Sequence, residues 1–281
     1  MARIEPQRLN RRLVLGGLVA LPGAAAAQQG DGEFFLRGHA CQGGTLIGRT
    51  RPAAEVRLDG EVVTRASGSG FFVIGFDRDA PGKARLEIGS QARELMIAPV
   101  SYSVQHVSGL PQDTVTPSDP ALLERIRREA ALKAEAFASR LDIDDFRDGF
   151  AWPLRHFVTT GAFGNQRVLN GVPSRPHYGA DLAAPKGTPI LAPASGVVVL
   201  SQPELHYDGG LTLIDHGQGL VSAYLHQSRQ DIAKGARVAR GQIIGAVGST
   251  GRATGPHLCW RLSWRGRHLD PTLLTGLRKP A

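Results

Sequence analysis

Cysteine and methionine occur only twice each in 281 residues, and aromatic residues make up 6%. Two cysteines, Cys41 and Cys259, cannot make a disulfide framework, although they could still pair with each other in an oxidising compartment. The apolar stretch from Leu13 to Leu21 falls well short of the ~20 residues that span a bilayer as a helix. No Lys/Arg run is interleaved with aromatics, so nothing specific supports nucleic-acid binding. Internal repeats and low-complexity tracts are missing as well. Glycine, by contrast, is abundant at 35 residues, which implies many tight turns and favours β architecture. A hydrophobic content of 42% with 21% charged residues is ordinary for a globular protein.

The first 27 residues read as an export signal. Arg3, Arg8, Arg11 and Arg12 form a basic head, Leu13 to Leu21 an apolar stretch, and Ala24 to Ala27 a small-residue cleavage region. The run Asn10-Arg11-Arg12-Leu13 also has the look of a twin-arginine signal, except that Asn10 stands where Ser or Thr is usual. Four arginines and one glutamate fall in this segment, so the formal charge of +8 drops to +5 without it. The expectation is an exported, periplasmic protein with no stable transmembrane segment once the signal is removed. Its mild positive charge would draw it toward an anionic envelope polymer.

Past the signal, residues 28–106 alternate short apolar runs with turn signals such as Asp59-Gly60 and Ser67-Gly68-Ser69-Gly70. That spacing predicts a small antiparallel sandwich resembling immunoglobulin-like modules, with a positioning or partner-binding role. Residues 107–150 read as a linker carrying one helix. Ser118 or Asp119 caps it, Pro120 suits its first turn, and Leu122, Leu123, Ile126, Ala130 and Phe137 recur at helical spacing to about Leu141. The charges interspersed along it, Arg125, Glu129 and Lys133 among them, read as a solvated face. Residues 151–276 return to strand and turn, with no helix longer than a turn or two.

Three pieces of this last segment carry chemistry. His177 and Asp181 lie four apart between Pro176 and Pro185, so an imidazole and a carboxylate converge from one short segment, which is half of a zinc site. The run from His257 to Trp264 alternates as a strand with Leu258, Trp260, Leu262 and Trp264 toward the core and His257, Cys259, Arg261 and Ser263 on the other face. Tyr224 and His226 share a face opposite Ala223 and Leu225.

With His177-x-x-x-Asp181 come Ala184-Pro-Lys-Gly-Thr-Pro189, Asp215-His216-Gly217, Tyr224-Leu-His226, Gly248-Ser-Thr-Gly251, Thr254-Gly-Pro-His257 and Leu269-Asp-Pro271, in that order. Together they resemble the M23 family of zinc metallopeptidases, the lysostaphin-like and LytM-like cell-wall endopeptidases. Phe163-Gly164 and Arg167 fit the approach to the site. The chain is thus expected to be mainly β, with the N-terminal immunoglobulin-like sandwich and helical linker read above, and the resemblance implies a C-terminal LytM-like, barrel-like sheet domain of the duplicated hybrid motif type. It further implies one zinc ion per chain, held by His177, Asp181 and the residue at position 259. His226 and His257 would stand beside the metal as catalytic groups, and His216 would be structural. The substrate class implied is the peptide stems and cross-links of peptidoglycan.

Cys259 departs from the family, where a His-x-His motif supplies the third ligand. A thiolate is a sound zinc ligand, so His177, Asp181 and Cys259 can hold the ion. Two other readings remain open: a Cys41–Cys259 disulfide, and a degenerate LytM-like factor that binds and activates a cell-wall amidase.

Overall fold

A computed structural model describes residues 34–276; the expected export signal lies outside the described residues. The chain is mainly β. Its N-terminal unit holds two antiparallel sheets. One pairs Phe35–Gly38, Thr45–Arg49 and Phe71–Gly75; the other runs Glu61–Arg65, Glu55–Leu58, Lys83–Ile88, Gln91–Met96. In Lys83–Ile88 the alternate residues Ala84, Leu86 and Ile88 are buried, the period-2 pattern of a strand with one covered face.

The larger unit is organised by an eight-stranded sheet. Its main path runs Arg237–Val238, Gly196–Leu205, Gly209–Asp215, Leu220–Gln227, His257–Trp264, Ala180–Ala183, Val158–Gly161, with Arg267–Leu269 also paired to His257–Trp264. Leu258, Trp260, Leu262 and Trp264 are all at most 1% exposed, so the core face expected of that strand is present, with Cys259 and Ser263 on the other face buried as well. One hydrophobic cluster joins Phe72, Val73 and Ile74 of the N-terminal unit to Trp264, Leu269 and Leu274. Among the described residues no helix is long and apolar enough to cross a membrane.

The helix is Pro120–Phe137, with the Asp119 side chain accepting from the Ala121 amide at 3.0 Å and Pro120 in the first turn. It stops a turn earlier than the spacing to Leu141 suggested. Beyond it the Asp215 carboxylate accepts from the Ser139 hydroxyl at 2.5 Å and the Leu141 amide at 3.2 Å, which pulls the chain out of helical geometry. The helix's polar side is not simply solvated. Glu129 accepts from the His206 amide at 2.8 Å, and Lys133 pairs with the buried Asp208, so these residues dock it onto the hairpin Gly196–Asp215.

Residues 104–110, straddling the expected start of the linker, are likewise structured. Val104–Val107 runs parallel to Gln166–Leu169, and Asn170 exchanges two hydrogen bonds with the backbone of Leu110, at 3.2 and 2.8 Å. That strand forms on a partner some sixty residues away, which leaves no local periodicity to read.

Candidate metal centre

The antiparallel pairing of Ala180–Ala183 with His257–Trp264 sets Asp181 directly across from Cys259, so both side chains leave the sheet on one face. His177 lies just ahead, on the turn through Gly179. A Cβ at Gly179 would come within 2.8 Å of the Trp260 carbonyl and 3.3 Å of Cys259 Sγ, so only glycine lets this turn lie against the strand. His177 Nε2 is 3.1 Å from Asp181 Oδ1 and 3.4 Å from Cys259 Sγ. His177, Asp181 and Cys259 are 2%, 7% and 1% exposed.

The outward atoms of this trio are already engaged. His177 Nδ1 donates to the Ala162 carbonyl at 3.1 Å, which turns the Nε2 lone pair inward. Asp181 Oδ2 pairs with the Arg167 guanidinium, and Oδ1 is buried without a hydrogen-bond partner. A nitrogen lone pair, a carboxylate oxygen and a thiol sulfur therefore face one another, all within 4.8 Å, and the thiol proton is the one hydrogen they can share. Such an electron-rich nest suits a cation. Tetrahedral zinc with these ligands would set them roughly 3.3–3.8 Å apart, close to the two separations found, so the residues present fit the ion.

Burial pushes His177 down, against the pull of Asp181. Burial alone would raise Asp181, but His177 and then Arg167 hold it well below the usual carboxylate range. Burial, and next Asp181, push the Cys259 thiol up to about 12. A metal would displace that proton.

His226 and His257 stand over the trio, with ring centroids 4.7 Å apart. His226 Nδ1 donates to the Thr250 carbonyl at 2.8 Å and His257 Nδ1 to the Gly255 carbonyl at 2.9 Å, leaving both Nε2 atoms for the cleft. His257 Nε2 is 3.7 Å from Asp181 Oδ1. Burial, then the neighbouring His257, lower His226 to about 3, so it is a neutral base at any moderate pH. Its backbone sits at φ 64°, which reverses the strand alternation and swings the ring toward the Cys259 face.

That reversal corrects the pairing of Tyr224 with His226. Tyr224 lies opposite Trp260 in the core, 0% exposed, and its hydroxyl bonds Ser222 Oγ at 2.7 Å. The cleft is a cavity of about 450 Å³ whose lining includes Asp181, His226, His257, Arg167, Arg252 and His106. His106, which lies outside the sequence motifs, reaches the cleft from the strand Val104–Val107 at the end of the expected sandwich. Asp208, whose carbonyl accepts from the His226 amide at 2.8 Å, went unnoticed, as it lies in no motif. Both cysteines are free: Cys41 bridges to Ala98 in the N-terminal unit, and no Cys41–Cys259 disulfide forms.

Residues 175–271 match the family model of peptidase family M23. That segment is an M23 peptidase segment. The chain is 47% identical over 106 residues to the peptidoglycan DD-endopeptidase ShyA of Vibrio cholerae, a match covering 37% of this chain and 24% of that protein. It is 42% identical over 97 residues to the DD-carboxypeptidase/endopeptidase Mpg of Neisseria meningitidis, covering 34% and 22%. The match spans about a quarter of the length of these curated relatives. A solved M23 peptidase structure from Pseudomonas aeruginosa superposes with a TM-score of 0.64 at 28% identity, covering 84% of this chain and 95% of that one. That overlap extends well beyond the M23 segment, so the neighbour shares more of this architecture than the peptidase unit.

Proposed function

We propose that this M23 protein is a zinc-dependent metalloendopeptidase that hydrolyses peptide cross-links of peptidoglycan in the cell envelope, with one zinc ion on His177, Asp181 and Cys259. The observation that carries this reading is the convergence of His177, Asp181 and Cys259 within 4.8 Å, beneath two histidines whose Nε2 atoms face an open cleft. The identity to peptidoglycan endopeptidases supports the substrate class, and the expected export signal supports a periplasmic location. We read the N-terminal sheets as an immunoglobulin-like sandwich.

Zinc, when bound there, supplies Lewis acidity toward a peptide carbonyl and lowers the pKa of a water to about 7. The chain's own residues do the rest. His226, neutral and with Nδ1–H committed to Thr250, accepts a proton at Nε2 from the attacking water. His257, closer to Asp181 and with Nδ1–H also on a carbonyl, carries a hydrogen at Nε2 only as the imidazolium, in which form it would donate to the oxyanion and then give that proton to the leaving amine. Arg167 keeps Asp181 ionised and fixes which oxygen points inward, as an outer partner does for a ligating carboxylate.

The second reading, a non-catalytic module that binds and activates a wall amidase, is favoured by one observation, the cysteine in the third ligand position. Zinc content and muropeptide digestion, measured under reducing conditions for the natural chain, Cys259→Ala and Cys259→His, decide between them. One zinc per chain, lost in Cys259→Ala and kept in Cys259→His, with cross-linked muropeptides cleaved, is the expected result. A metal-free, inactive natural chain that takes up zinc only as Cys259→His would overturn the enzyme reading.

A further inference from the structure

Exchanging a neutral imidazole for a thiolate adds one negative charge to a buried site, and removing charge from water is costly unless it is matched nearby. The strand His257–Trp264 carries Arg261 two residues after Cys259, on the same face. Gly179 packs across both: a Cβ there would lie 2.7 Å from Arg261 Cγ and 3.3 Å from Cys259 Sγ. The stem of the arginine and the sulfur thus flank the same point above the turn. Arg261 Nε is buried with no hydrogen-bond partner.

Arg261 is held in place from behind. Its Nη1 is 3.7 Å from Asp208 Oδ1, and Asp208, 5% exposed, also pairs with Lys133 of the helix. Lys133, Asp208 and Arg261 together carry one net positive charge. The charge of Asp181 already has its partner in Arg167. The surplus at Arg261 therefore stands beside Cys259, the ligand that brings a charge where an imidazole would bring none.

We propose that Arg261, seated by Asp208 and Lys133, is a positioning residue that lets a sulfur serve in the third ligand position of this site. The proposal rests on the zinc reading above and adds that the metal site of this chain is a matched Cys259–Arg261 pair. It follows that the value of Arg261 depends on which residue occupies position 259. A residue that merely supports the fold would matter equally in either background.

The test is a double-mutant cycle on the full chain. Zinc affinity is measured by chelator competition under reducing conditions for the natural chain, Arg261→Met, Cys259→His and the double variant. Cobalt-loaded natural and Arg261→Met proteins are compared by their thiolate-to-cobalt charge-transfer absorption. Loss of an outer partner costs roughly 10- to 100-fold in metal affinity. That loss is expected for Arg261→Met in the natural chain, together with a shifted charge-transfer band. In the Cys259→His background the same change should leave affinity within about threefold, or tighten it, because a cation beside a neutral imidazole and Zn²⁺ only repels. Arg261→Lys and Arg261→Gln repeat the comparison with and without charge should the Met variant unfold. Equal losses in both backgrounds, or an unshifted band with unchanged affinity, overturn the proposal while leaving Cys259 a ligand. A natural chain that binds no zinc overturns the underlying reading as well, and that result is visible before any Arg261 variant is made.

Discussion

His226 is the one site residue whose backbone departs from its strand. A non-glycine residue at φ 64° costs about 1–2 kcal/mol, and such strain persists only where surroundings over-determine it. Here the Asp208 carbonyl holds the amide and the Thr250 carbonyl holds the ring. His226→Ala should keep zinc while losing about 10²- to 10⁴-fold in muropeptide hydrolysis, the usual worth of a positioned base. His226→Gly, equally inactive, should be about 1 kcal/mol more stable than His226→Ala because it removes the strain. Urea denaturation of the two variants measures this, and equal midpoints would show that the left-handed turn stores nothing. Gly161 is a second test at this scale. A Cβ there would lie 2.6 Å from Asp181 Oδ2, while its backbone needs no glycine. Gly161→Ala should fold, push the carboxylate off Arg167 and weaken zinc binding by roughly tenfold. Unaltered affinity by chelator competition would separate Arg167 from the metal site.

The strand Leu220–Gln227 carries two kinds of histidine chemistry through its neighbours. His216, at the preceding turn, is 0% exposed. Its Nδ1 donates to the Ser195 carbonyl at 2.6 Å and its Nε2 accepts from Ser222 Oγ at 2.7 Å, while Ser222 in turn accepts from the Tyr224 hydroxyl. That chain needs a neutral ring, and burial holds its pKa below the ordinary 6.5. The unfolded chain therefore takes up the proton first as pH falls. His216 contributes its stability in full above about pH 6.5 and loses it as pH drops from there toward its lowered folded value. His216→Gln should be less stable at about pH 7 yet show a shallower fall in Tm down to about pH 5; a slope identical to the natural chain's would mean that the ring does not titrate in this window. At this same scale the sequence was most readable. The alternation of Leu258, Trp260, Leu262 and Trp264 against Cys259 marked a strand and its buried face, and motif order brought His177, Asp181, His226, His257 and Cys259 to one place. Contacts formed across long separations were not readable. The strand Val104–Val107, the docking of Lys133 on Asp208 and the turned backbone of His226 each depend on a partner that local spacing does not reveal.

The arrangement of the whole molecule follows from how the N-terminal sheets meet the M23 unit. They share a hydrophobic cluster, and their backbones interlock: the Asp270 amide donates to the Gly43 carbonyl at 2.8 Å and Arg78 Nε to the Gly164 carbonyl at 2.7 Å. Gln218 is the deepest of these ties. It reaches from the turn after His216 to both N-terminal sheets, where Nε2 donates to the Phe71 carbonyl at 2.9 Å and Oε1 accepts from Thr64 Oγ1 at 3.0 Å and the Val73 amide at 3.3 Å. A positioning domain hung on a free linker would unfold in its own transition; units joined through a common core and buried hydrogen bonds should melt together. Gln218→Ala would orphan buried groups at a cost of roughly 1–3 kcal/mol each, so a loss of about 2–4 kcal/mol is expected, borne by the whole protein. Calorimetry of the natural chain should show one endotherm, shifted down as a unit in the variant, with zinc bound by both proteins below their transitions. Two separable endotherms in the natural chain would make the N-terminal sheets an independent module and leave their contacts with the peptidase unit as docking alone.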